Sequence, residues 1–145
     1  MYIKKTTNLL KGFKEVDMEF EIKKNKYTKT RGGKAKFLLL GCGACGKNII
    51  LYQKDGDGQL LRLYLDKITA PQNLVDIVKN YHTKSEMSGL FCPICGKLLA
   101  VPMIYEKENR LAYRLIPGQI IKKMKMTETA NIKILSSGEI ITIDK

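Results

Sequence analysis

The sequence predicts a mainly β protein with one short helix, on three observations. Apolar residues come in runs of strand length, such as FLLL at 37–40 and LLAV at 98–101. Turn-forming residues separate those runs, as in DGDG at 55–58. A CxxCGK unit occurs twice, at 42–47 and 92–97, and strand-type residues follow it each time.

The first expected strand is VDMEFEI at 16–22, where apolar and acidic residues alternate as on a half-buried strand. Residues 23–36, KKNKYTKTRGGKAK, hold seven Lys or Arg, no acidic residue and the pair Gly32-Gly33, and are expected to form an exposed loop or hairpin. The apolar run at 37–40 reads as a buried strand that delivers the chain to Cys42. NIILYQK and QLLRLYLDKI flank DGDG and are expected to pair as a hairpin. In TAPQNLVDIVKNYH the residues Leu74, Val75, Ile77, Val78 and Tyr81 fall at helical spacing. Pro71 suits the first turn of that helix, and Thr69 a cap. KLLAVPMIYEK and RLAYRLIPGQII, around Glu108-Asn109, form a second expected pair of strands. NIKIL and EIITI, joined through Ser137-Gly138, form a third hairpin.

Laid together, the two CxxCGK units extend into a repeat over about 37–68 and 90–121, in which Arg62-Leu63 matches Arg114-Leu115 and Ile68 matches Ile120. Two similar halves, each giving two ligands to one shared metal, predict a pseudo-twofold sheet domain over 34–126. An N-terminal strand and basic arm at 1–33 would precede it, and a C-terminal hairpin at 127–145 would follow.

Cys42, Cys45, Cys92 and Cys95 are the candidate metal ligands. A CxxC turn places two sulfurs on one side of a bend, and two such turns complete the tetrahedral thiolate shell that suits one structural zinc. Gly46 and Gly96 let the backbone fold back toward the sulfurs, and Lys47 and Lys97 offset the negative charge. A redox CxxC opens a helix, whereas both motifs here precede strands, and an iron site of four cysteines stays open as an alternative. Four thiolates leave no position for water, so the metal is expected to stabilise and not to catalyse. The single histidine, His82, is expected at the surface.

Three motifs fail on inspection. GCGACGKN at 41–48 nearly spells a phosphate-binding loop, but Asn48 replaces the hydroxyl residue and a strand follows where a helix is needed. DGDG lacks the carboxylates of a calcium loop. Met124 and Met126 among Lys122, Lys123 and Lys125 fit a half-buried strand.

The paired knuckles and their hairpins, over residues 34–125, resemble the β-tent arrangement of Yippee-like zinc domains, in which two sheets meet near a zinc held by paired knuckles. A duplicated zinc ribbon shares most of these features. The resemblance implies non-enzymatic roles. Methionine-R-sulfoxide reductases of related architecture need a further cysteine, and cereblon-like pockets a tryptophan cage; this chain has four cysteines, all in knuckles, and no Trp.

A formal net charge of +12 favours anionic partners, nucleic acid above all. Lys23, Lys24, Lys26, Lys29, Arg31, Lys34 and Lys36 are the expected RNA or DNA phosphate contacts, with Tyr27 placed to stack on a base. A zinc-stabilised adaptor for a protein partner is the alternative. Catalysis is not expected, because no His-centred triad is present and Asp66, Asp76, Glu86 and Glu106 are scattered. Arg62 and Arg114 are expected to pair with acidic residues across the sheet, with matched anion contacts as the alternative. No run is long enough to cross a bilayer, and the N-terminus lacks the apolar core of a secretory signal, so a cytoplasmic protein with reduced thiols is expected.

Overall fold

The computed structural model describes residues 2–7, 15–126, 132–135 and 140–142. Along the chain run β1 (Tyr2–Thr7), β2 (Glu15–Glu21), α1 (Lys26–Thr30), β3 (Ala35–Cys42), β4 (Asn48–Asp55), β5 (Arg62–Tyr64) and β6 (Ile68–Ala70). There follow α2 (Gln72–Val78), β7 (Leu90–Phe91), β8 (Leu98–Tyr105), β9 (Arg110–Leu115), β10 (Ile120–Met126), β11 (Ile132–Leu135) and β12 (Ile140–Thr142). The fold is mainly β, as predicted, and every strand pairing among the described residues is antiparallel.

The strands form three four-stranded sheets: β1-β2-β11-β12, β10-β3-β4-β6 and β5-β9-β8-β7. The second sheet lies between the other two, and β3 shows why its sequence is continuously apolar. Leu38 and Leu40 face the core shared with the third sheet, against Leu63, Leu99 and Tyr113. Phe37 and Leu39 face the other way, onto Phe20, Ile134 and Ile140 of the first sheet. A strand covered on both faces has no solvent side on which to alternate. The first sheet joins the two ends of the chain, with Val16 opposite Ile134 and Asp17 opposite Lys133. β11 and β12 pair as expected, while the Ser137-Gly138 turn lies outside the described residues.

The hairpin expected across DGDG does not form. β4 pairs with β3 on one edge and β6 on the other, so no edge remains for β5. Gly56 N–H donates to the Lys34 carbonyl at 2.7 Å, and the chain then crosses to the third sheet, where β5 lies against β9. In return β10, from the second half, completes the second sheet on the edge of β3. Each half thus lends a strand to the other's sheet. The expected β8–β9 hairpin is present. Arg62 and Arg114, equivalent in the repeat, are direct register partners; no ion pair among the described residues uses either, and Arg62 instead lies 4.3 Å from the Tyr105 ring centroid.

Two smaller expectations are corrected. The basic stretch 23–36 is not wholly loop, because Asn25 caps α1 through a capping box with Thr28. Thr28 is fully buried beside the Lys67–Asp55 ion pair, which anchors the helix. Thr69 caps nothing: its hydroxyl donates to the Lys67 carbonyl within β6, and α2 begins after Pro71 without a side-chain cap. Among the described residues, no helix is long and apolar enough to cross a membrane.

Candidate metal centre and basic surface

Each CxxC sits in the connection of a hairpin, the first between β3 and β4 and the second between β7 and β8. The local hydrogen bonds are the same in both. Cys42 N–H donates to the Lys47 carbonyl at 2.9 Å and Gly46 N–H to the Cys42 carbonyl at 2.8 Å. Cys92 N–H donates to Lys97 and Gly96 N–H to Cys92, at 2.8 and 2.9 Å. Gly46 and Gly96 adopt φ of +77° and +79°, which reverses the chain and favours glycine. Amides then turn inward onto sulfur: Ala44 and Cys45 N–H toward Cys42 Sγ at 3.3 and 3.5 Å, and Cys95 N–H toward Cys92 Sγ at 3.5 Å.

The second sheet supplies Cys42 and Cys45, and the third supplies Cys92 and Cys95. All four sulfurs lie within 4.8 Å of one another. Cys42 Sγ is 3.6 Å from Cys95 Sγ, and Cys45 Sγ is 3.7 Å from Cys92 Sγ. Zinc–thiolate bonds of about 2.3 Å in a tetrahedron separate sulfurs by about 3.8 Å, so the cluster fits one ion. Cys42 and Cys92 are buried, while Cys95 is exposed. The Cys45 amide, helped by that of Ala44 and opposed by burial, lowers the Cys42 thiol to about 7. Against the amides of Lys47 and Lys97, burial and the neighbouring thiols raise Cys45 and push Cys95 up to about 11, so four thiolates would need a compensating cation, which a divalent metal would supply.

Two supports of this centre escaped sequence reasoning. Gly43 N–H donates to the Gln119 carbonyl at 2.8 Å, and a Cβ on Gly43 would run into the Gly118 carbonyl oxygen, so the β9–β10 turn lies directly on the first knuckle. Lys123 crosses over Gly41 and donates from Nζ to the Gly46 carbonyl at 2.9 Å. The Lys123–Gly46 contact joins residues 77 apart in the sequence, and the β10–β3 pairing brings them together.

The eight basic-surface candidates divide. Lys24, Lys26, Lys29 and Lys34 are exposed on and around α1. Arg31 is committed to Glu108 by two bonds of 3.0 and 2.8 Å and to the Tyr64 hydroxyl at 3.0 Å. One face of Tyr27 is taken by the Arg110 guanidinium, 3.7 Å from the ring centroid, and Lys26 Nζ lies 5.0 Å from that centroid. Arg110 in turn lies 3.8 Å from the Tyr64 ring and pairs with Asp66 and Glu108. Lys23 and Lys36 are half-buried and line different clefts. The scattered acids do not converge. Asp66 holds Arg110, Asp76 pairs with Lys79, and Glu86 accepts from the amides of His82 and Thr83. His82 is exposed, as expected.

Comparison of the chain with protein-family models, curated proteins and solved structures finds no match.

Proposed function

We propose that Cys42, Cys45, Cys92 and Cys95 hold one structural zinc that clamps the second and third sheets, and that the clamped module binds nucleic acid without catalysing a reaction. The observation that carries the metal is the sulfur cluster, drawn from two sheets and spaced for a single tetrahedral ion. Two antiparallel sheets, each with its own knuckle, are also what a β-tent resemblance implies. The nucleic-acid reading is supported by the net charge of +12 and by the exposed lysines of α1, none of which enters an ion pair among the described residues.

Purification under reducing conditions, with metal quantified by mass spectrometry and co-purifying nucleic acid read from the 260/280 absorbance ratio, tests both parts. The expected result is one zinc per chain and a raised ratio that falls in high salt. Iron in place of zinc contradicts the first part, and a nucleic-acid-free protein with no affinity for oligonucleotides contradicts the second.

Exposed apolar groups favour a second reading. Phe91 and Ile94, at the second knuckle, are 53% and 51% exposed, and Ile77 on α2 is also exposed. An adaptor that covers them with a protein partner would retain that partner after nuclease treatment and in high salt.

A further inference from the structure

Lysines far apart in the chain share one concave face of the second sheet. Lys36 and Lys54 are direct register partners on β3 and β4. Lys36 lies on the same face as Leu38 and Leu40, two and four residues along the strand. β10 has a bulge after Lys122, so Lys122 lies opposite Leu40, Met124 opposite Leu39 and Lys125 opposite Leu38. Without the bulge, Lys122 and Lys125 would point to opposite faces; the extra residue puts both on the side of Lys36 and Lys54. Together with Lys123 these lysines line a cleft of about 470 Å³, in which Asp57 is the single carboxylate.

The arrangement carries a cost that the fold itself does not explain. Like charges directly opposite on neighbouring strands destabilise a sheet. Lys54 is also 9% exposed, and its ammonium donates only to the Gly56 carbonyl, at 3.1 Å, among the described contacts. Burial first, and then Lys36, hold that ammonium below its ordinary pKa. An anion seated between the lysines relieves both penalties.

We propose that this cleft is the principal phosphate-binding surface of the protein and takes the phosphodiester backbone of a single nucleic-acid strand. The inference rests on the nucleic-acid reading above and moves its main contact from α1 to β10. Lys122, Lys125 and Lys36 follow one another along the sheet at steps of about 7 Å, a row that suits an anion that repeats. A membrane surface fits less well, because the cleft's apolar residues are the buried Leu38 and the single exposed Met124. Continuity supports the assignment: Lys36, the last residue of the basic stretch 23–36, itself lines the cleft.

Fluorescence anisotropy with a labelled single-stranded oligonucleotide, over a series of salt concentrations, tests the proposal on the zinc-loaded protein. Lys122→Gln/Lys125→Gln is expected to weaken binding about tenfold or more and to reduce the log–log salt slope by about 1.4, two single-strand phosphate contacts. Lys122→Arg/Lys125→Arg should retain binding, and Lys24→Gln/Lys29→Gln should change it little. Zinc content and circular dichroism verify that each variant is folded. If the α1 pair weakens binding while the β10 pair leaves affinity and slope unchanged, the cleft proposal is overturned and the nucleic-acid reading survives. If the wild-type protein binds no oligonucleotide, or binds only vesicles rich in phosphatidylserine, both are overturned.

Discussion

Single residues decide how closely the parts of this molecule approach. Gly43 admits the Gly118 carbonyl where any side chain would collide with it. Gly43→Ala is therefore expected to destabilise the protein by about 1–3 kcal/mol, read as a lower urea midpoint, because backbone must move to make room. Glu108 makes a pH-dependent contribution. Burial raises its carboxyl, but the bonds from Arg31 and Arg110 prevail and hold it below the ordinary value of 4.5. The charged form is thus favoured by folding, so its contribution is full above the ordinary carboxyl range and is lost as the pH falls through the lowered value. The stability difference between wild type and Glu108→Gln should be constant near neutrality and shrink below about pH 4.5. A difference that grows in acid contradicts the assignment. None of this was legible from sequence, since Arg31, Glu108 and Arg110 meet only after the chain folds.

At the level of elements, legibility followed how local the determinant was. The knuckles were readable because each CxxCGK contains its own turn, glycine and cysteine pair. β3 was readable because burial on two faces leaves an unbroken apolar run. The β8–β9 hairpin was readable from its polar turn, and the same logic failed at β4–β5, where similar residues flank DGDG. The difference lies in the edges of β4, both occupied by β3 and β6, which no local pattern records. α1 was hidden by its lysines; the Asn25–Thr28 capping box was present in the sequence, but the helix depends on a buried polar anchor. Lys67 and Asp55 are 1% and 5% exposed and 3.0 Å apart, and Thr28 bonds to both. Lys67→Met leaves Asp55 without its cation and should cost about 3–5 kcal/mol. Hydrogen exchange at the α1 amides should rise with it; unchanged α1 protection would mean that the helix is held by something else.

At the scale of the whole molecule, the strand exchange and the cysteine cluster both tie the second sheet to the third. β5 and β10 cross between halves, β10 entering at the knuckle end, where the four cysteines bring the same two sheets together. Metal-binding free energy at such a site is folding free energy. Replacing any one of the four cysteines by serine should lose the ion and much of the tertiary structure, seen as loss of zinc together with a lowered unfolding midpoint. The cysteine cluster was legible from sequence, whereas the division of labour between sheets was not, because the sequence shows the repeat and not the exchange. The basic surface was legible in part: charge marked residues 23–36, but Lys54, Lys122 and Lys125 join Lys36 only through the register of β3, β4 and a bulged β10.

One zinc, held by four thiolates, is proposed to join the two sheets. X-ray absorption at the zinc edge of the protein purified under reducing conditions tests it most directly. The expected result is one zinc per chain with a single shell of four sulfurs at about 2.3 Å. A shell containing nitrogen or oxygen, or a folded protein that carries no zinc, would contradict it.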